Sequence, residues 1–160
     1  MASRVEKRLG KNYILDRTLG EGAFGKVKLA VDERTGIQVA IKIMEKAKIA
    51  KHKMESQVKK EMTIMKHIRH RNIVNLREIL FSKTKVFLVM ELCSGGELFD
   101  KLVAERRFSE DLARKYFQQL ISALELVIRV AVALWGMGTV LRMLLVCALQ
   151  VLSQSKCVPS

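Results

Sequence analysis

Val27, Leu29 and Val31 alternate with Lys26, Lys28 and Ala30, and Val39, Ile41 and Ile43 alternate with Ala40, Lys42 and Met44. A period of two is the pattern of strands whose two faces meet different surroundings. Tyr13 to Leu19 is a further β-rich run that ends at a glycine cluster, and Asp32 to Gly36, between the two alternating runs, is turn chemistry. Three antiparallel strands joined by tight connections are therefore predicted. The period then changes. Val58, Met62, Met65 and Ile68 form a stripe at helical spacing, which predicts a helix over 54–68. Glu61 lies on that stripe, and a carboxylate on an inward face needs a partner because an unpaired buried charge is costly. Further strands are predicted at about Ile73–Leu80 and Val86–Met90, around the turn Ser82–Thr84, followed by a short helix at Glu97–Glu105. Ser109 offers an N-cap to a longer helix. Glu110 and Asp111 suit its positive start, and Leu112, Tyr116, Leu120 and Leu124 carry it onward.

Charge divides the chain near residue 120. Only Glu125, Arg129, Arg142 and Lys156 are charged beyond that point, and no aspartate follows Asp111. With 160 residues, 49% apolar and 28% charged, the chain has the size and composition of one ordinary domain with a core. Its formal net charge is +13, with basic residues concentrated between Lys42 and Arg71. They are not interleaved with aromatic residues as a nucleic-acid platform requires, so the cluster reads as a solvated basic face and no nucleic-acid partner is expected. Cys93, Cys147 and Cys157 are odd in number and lack metal-site spacing, which points to a reducing, cytoplasmic compartment and to no zinc site. The polar N-terminus has neither the apolar stretch of a signal peptide nor, with Ala2, a myristoylation glycine.

The glycine cluster Gly20-Glu21-Gly22-Ala23-Phe24-Gly25 fits G-x-G-x-x-G, a weak signal by itself. A dinucleotide-binding turn needs a helix straight after the glycines, and a strand pattern follows here. A Walker A loop needs Ser or Thr after its lysine, where Val27 stands. The reading that remains is a strand–glycine loop–strand lid over nucleotide phosphates, with glycine where backbone must approach phosphate and a valine two residues after the last glycine. That reading calls for a V-A-I-K strand, and Val39-Ala40-Ile41-Lys42 supplies it. Lys42 would hold the α/β-phosphates as a point charge, and Glu61 is the inward carboxylate that a Lys42–Glu61 ion pair would satisfy.

Residues 13–125 resemble a eukaryotic serine/threonine protein kinase of the calcium/calmodulin-dependent kinase group. They are most similar to sucrose-nonfermenting-1-related and calcineurin-B-like-interacting kinases. The resemblance rests on GEGAFGKV, VAIK, KHKMESQVKKE, IRHRNIV, LVMELCSGGELFDKL and RFSEDLARKYFQQLISALE. Arg71 stands where a proline is common in that family, a loop change expected to be tolerated. The resemblance implies an α+β fold: a protein kinase-like small lobe (antiparallel sheet plus one helix) over 13–90, then the hinge and first helices of the large lobe over 91–125. It also implies an ATP site. Leu19, Val27 and Ala40 would sandwich the adenine, although plain core packing would use the same residues. Met90 would stand at the back of that pocket, the backbones of Glu91 and Cys93 would bind adenine, and Glu97 would reach the ribose. Gly20, Gly22 and Gly25 would cover the phosphates. ATP, a protein Ser/Thr substrate and a calcium-sensor partner of the full-length relative are what the family implies.

The chain departs from that family after Glu125. A kinase needs the aspartates of H-R-D-x-x-x-x-N and D-F-G, and the residues that follow read Val130-Ala131-Val132-Ala133-Leu134-Trp135-Gly136. With no aspartate beyond Asp111, the family's magnesium ligands are absent and no catalytic residue can be assigned beyond the supporting Lys42–Glu61 pair. The expectation is a chain truncated before its catalytic loop, with a divergent hydrophobic tail over 126–160 such as intron read-through or a frameshift would produce. Leu126–Val146 holds eleven Leu, Ile or Val in 21 residues. Their gain on membrane insertion, roughly 3–7 kcal/mol, nearly cancels the cost of Arg129 and Arg142 at ~2.5–3.5 kcal/mol each. An apolar extension of the preceding helix is therefore preferred to membrane association through 126–152.

Overall fold

The computed structural model describes residues 7–22, 25–95 and 98–135. They fall into two compact units, 7–58 with 76–92 and 59–75 with 93–135. The first is a six-stranded sheet built from β1 (Lys7–Leu9), β2 (Tyr13–Gly22), β3 (Gly25–Asp32), β4 (Gln38–Glu45), β5 (Leu76–Phe81) and β6 (Lys85–Glu91), in the order β1-β2-β3-β4-β6-β5. Every neighbouring pair is antiparallel. The alternation predicted for β3 and β4 sorts into faces. Tyr13, Ala30, Val39, Ile41, Ile43, Phe87 and Val89 make one core, with Leu9, Leu15 and Leu80 packed against it. The opposite positions of β4, Ala40 and Met44, are buried as well, and Lys42 between them is half-buried.

Two elements escape the sequence pattern. β1 has three residues, too few to show a period, and forms because Lys7–Leu9 pairs with Leu15–Tyr13. Helix α1 (Lys46–Lys51) holds one buried residue, Ile49, among lysines and alanines, so it carries no apolar stripe to read. The turn after β3 matches expectation. Asp32 accepts through Oδ1 from the Arg34 backbone N–H at 3.1 Å, and its carbonyl accepts from Gly36 at 2.8 Å.

Helix α2 (Glu55–His67) falls within the predicted span, though Ile64 rather than Met62 or Met65 is its deepest residue after Lys59. In the second unit, Ile64 and Ile68 pack with Val127, and Ile73, Leu126 and Val130 close around them. The strand predicted from Ile73 begins only at Leu76. The residues before it belong to a loop tied to α4 (Glu110–Trp135). Asn72 Nδ2 donates to the Gln119 carbonyl at 3.3 Å, and His70 Nε2 lies 3.2 Å from Ser122 Oγ. The Asn72 backbone N–H donates to His70 Nδ1 at 3.2 Å, so in the neutral ring Nε2 carries the proton and donates to Ser122.

Helix α3 (Leu98–Glu105) corresponds to the predicted short helix, and Glu97 lies outside the described residues. Ser109 caps α4 as predicted: its Oγ accepts from the Leu112 N–H at 3.3 Å, and its carbonyl from Ala113 at 2.9 Å. α4 runs unbroken past Glu125 into the segment read as divergent, where Leu126, Val127 and Val130 join the packing above. Residues 136–160 lie outside the described residues. Among the described residues no helix is long and apolar enough to cross a membrane.

Candidate functional site

The glycine cluster forms the end of the β2–β3 hairpin. Gly22 pairs with Gly25, Glu21 with Lys26 and Gly20 with Val27, while Ala23 and Phe24 lie outside the described residues. The glycines differ in what holds them to their identity. A Cβ built on Gly25 would stand 1.8 Å from the Ile43 carbonyl oxygen, so packing against β4 excludes any side chain there. Among the described residues, a Cβ on Gly20 or Gly22 would meet no atom within 4 Å beyond its chain neighbours. The fold accounts for Gly25 and leaves Gly20 and Gly22 unexplained by contact with the chain itself.

Register gathers the other sequence-predicted residues. Directly paired residues of antiparallel strands share a face. Val27 pairs with Lys42, Leu29 with Ala40, Ala40 with Met90 and Lys42 with Leu88. Gly20, Val27, Ala40, Lys42 and Met90 therefore occupy one face, opposite the core built around Ile41. Ala40 and Met90 are buried, while Val27 and Lys42 are half-buried. Leu19 is 38% exposed at an irregularity of β2, where Thr18 pairs with Lys28 and Gly20 with Val27. Two residues there oppose one, and such a bulge re-aims a side chain out of strict alternation. Leu29 and Leu88 share this face too; the period of two groups Leu29 with Val27, but the sequence assigns neither leucine to the site.

Glu91 ends β6 opposite Val39, so its side chain belongs to the other face and only its backbone is available to this one. Cys93 is a half-buried thiol in the second unit. Lys42 lies in the first unit and Glu61, half-buried on α2, in the second.

A charged cluster that the sequence did not announce sits on the core face, at the edge near Tyr13. Asp32 is 2% exposed and takes a forked pair from Arg34, Nε to Oδ1 and Nη2 to Oδ2, each at 3.0 Å. Arg34 also donates to Tyr13 Oη at 3.4 Å, and Tyr13 donates to Glu78. The Arg34 guanidinium holds the Asp32 carboxyl below the usual carboxylate range. Burial, then the hydrogen bond to Glu78, pushes the Tyr13 hydroxyl up to about 12. The only hint of this cluster in the sequence was the turn itself.

A protein-kinase model, described as the protein kinase domain, matches residues 13–133. The chain belongs to that family. Among curated relatives, this kinase chain is 53% identical over 123 residues to CBL-interacting protein kinase 32 of Oryza sativa subsp. japonica, covering 77% of the chain and 28% of the relative. It is 52% identical over 122 residues to CBL-interacting serine/threonine-protein kinase 3 of Arabidopsis thaliana, covering 76% and 27%. The same kind of match, 53% over 124 residues, covers 78% of the chain and 27% of CBL-interacting serine/threonine-protein kinase 9 of Arabidopsis thaliana. The chain thus spans little more than a quarter of the length of these kinases. Its fold is the N-terminal part of the kinase domain, an antiparallel sheet with α1 and α2 between its fourth and fifth strands and α3 and α4 after its last. The family's two aspartates have no counterpart after Asp111, and among the described residues no three His, Cys, Asp or Glu gather where a metal could be held.

Proposed function

We propose that this chain carries the ATP-binding part of a protein serine/threonine kinase and that the 160 residues by themselves transfer almost no phosphate. The observation that carries the first half is the pair of glycines that packing does not demand. Gly20 and Gly22 stay open at the end of the hairpin, on the face that holds Val27, Ala40, Lys42 and Met90. Backbone without side chains lets phosphate oxygens come close to N–H groups. Adenine would lie against Val27, Ala40 and Leu19 with Met90 behind it, and the backbones of Glu91 and Cys93 would take its edge. Lys42 would meet the α/β-phosphates, oriented by Glu61, and Glu97 would meet the ribose. ATP brings the phosphoryl group; the chain's own residues bind and orient it.

Inactivity rests on chemistry. Phosphoryl transfer is positioning plus neutralisation of charge, and the two aspartates that position the nucleophile and the metal are missing from this sequence. The same absence favours a second reading, a module that binds nucleotide, or competes for the partners of an intact kinase, without catalysis. The relatives' names speak of interaction with CBL, and a calcium-sensor partner is proposed on that ground for a full-length kinase of this type.

Two measurements test the proposal. Millimolar Mg-ATP should raise the unfolding temperature of the full chain but not of Lys42→Met, since a ligand stabilises only the state it binds. No shift in the unsubstituted chain would refute nucleotide binding. Radiolabelled transfer to a generic protein substrate should equal the Lys42→Met background, and transfer above it would overturn inactivity.

A further inference from the structure

The basic cluster reads from sequence as a solvated face. Tertiary structure adds what the sequence separates. The Lys46 backbone N–H donates to the Thr84 carbonyl at 2.9 Å, and Lys46 Nζ donates to the Ser82 carbonyl at 2.7 Å. These bonds fasten α1 to the β5–β6 turn, residues 82–84. Ile49 is the one buried residue of α1, so Lys46, Lys48 and Lys51 spread around its outward side, with the small Ala47 and Ala50 between them. Lys53 continues the array and Lys83 joins it from the turn; all five lysines are exposed. Glu45 lies 3.6 Å from Lys48 Nζ and the exposed Glu55 follows Lys53 in the chain, so along 45–55 the lysines outnumber the carboxylates. Beside the array stands Phe81, the last residue of edge strand β5, 63% exposed with Lys46 Nζ 6.0 Å from its ring centroid.

We propose that this surface, Lys46, Lys48, Lys51, Lys53 and Lys83 around Phe81, docks on an anionic lipid bilayer. Every cation in it is lysine. Lysine is a compact point charge without the planar fork that pairs single carboxylates, and it suits a diffuse field of head groups. Clusters of four to eight basic residues draw protein to anionic leaflets, with about fivefold in affinity per lysine near the surface. An exposed aromatic ring beside such a cluster is the kind of side chain that settles at the level of the head groups. Small alanines between the lysines let the face approach closely. The proposal stands apart from nucleotide binding: the lysines lie on α1, just after it and in the β5–β6 turn, and Phe81, although its pairing with Val86 puts it on the same sheet face as Lys42, ends edge strand β5 and is not among the residues proposed to meet ATP.

The test is flotation of the full chain with phosphatidylcholine vesicles, with and without phosphatidylserine. Binding should require phosphatidylserine and weaken as salt rises. The triple variant K48E/K51E/K83E should lose roughly a hundredfold or more. K11E/R17E/R107E changes three exposed residues elsewhere by the same charge and should lose far less, and Phe81→Ala should lose several-fold. If the charge-reversed patch variant fails to fold by circular dichroism, K48Q/K51Q/K83Q replaces it with the same expectation. Binding independent of phosphatidylserine would assign any membrane affinity to the apolar residues after Glu125 and overturn the proposal. Equal losses in the two triple variants would reduce it to net charge and overturn it too. So would saturable binding of polyglutamate peptide without any vesicle binding, which would make the partner an acidic protein segment.

Discussion

Along β4 the odd positions Val39, Ile41 and Ile43 close onto Tyr13, Ala30, Phe87 and Val89, while the even positions Ala40 and Lys42 face the same way as Val27, Leu29 and Met90. The first set is defined by burial, since all three side chains close into one apolar cluster. The second includes a half-buried lysine and lies on the same face as two glycines whose Cβ positions are open among the described residues. One strand thus carries a core face and the face of the proposed nucleotide site, and residue parity separates the two. The same division runs through the hairpin, where Gly25 answers to the Ile43 carbonyl and Gly20, among the described residues, to no close contact.

The largest test of that contrast is Ile41→Ala. Emptying a fully buried site in the core should cost about 2–5 kcal/mol in urea unfolding. A loss below ~1 kcal/mol would mean that the odd face is not the one that holds the sheet together. The two glycines sharpen the point at smaller scale. Gly25→Ala drives a methyl group into backbone and should destabilise by ~1–3 kcal/mol, the usual cost of overpacking. Gly20→Ala should leave unfolding within ~0.5 kcal/mol while reducing the thermal shift given by Mg-ATP. Equal stability losses in the two variants would erase the distinction between them.

The smallest expected effect is a pH dependence confined to the core face. Asp32 has its folded pKa lowered, chiefly by the hydrogen bond from Arg34. Its contribution is present above the ordinary value of 3.8 and is lost as pH falls through the folded value. Tyr13 has its pKa raised, so its contribution is full below 10.0 and fades as pH climbs towards about 12. Asp32→Asn should therefore flatten the acid limb of stability against pH, and Tyr13→Phe the alkaline limb. If both limbs keep their slopes in the variants, the cluster does not couple protons to folding.

Much of the sheet was legible because its signals are local. Alternation in β3 and β4, turn residues at 32–36 and the Ser109 cap all act within a few residues, and each appears where the pattern put it. The strand expected from Ile73 was misjudged at its start because the loop before it is held by Gln119 and Ser122, 47 and 52 residues away from their partners. α1 was missed because it is anchored by one isoleucine and by hydrogen bonds to Ser82 and Thr84.

The candidate site divides in the same way. By itself the sequence determined the glycine loop, the V-A-I-K strand and the absence of any aspartate after Asp111, because these are statements about residue identity and short spacing. Tertiary structure decided which glycine is required by packing, which residues share a face across four strands, and that an aspartate in a turn is buried under an arginine. It also decided that lysines from α1 and from the β5–β6 turn form one surface around an exposed phenylalanine. Those facts depend on register and long-range hydrogen bonds, which join residues that the chain order holds far apart.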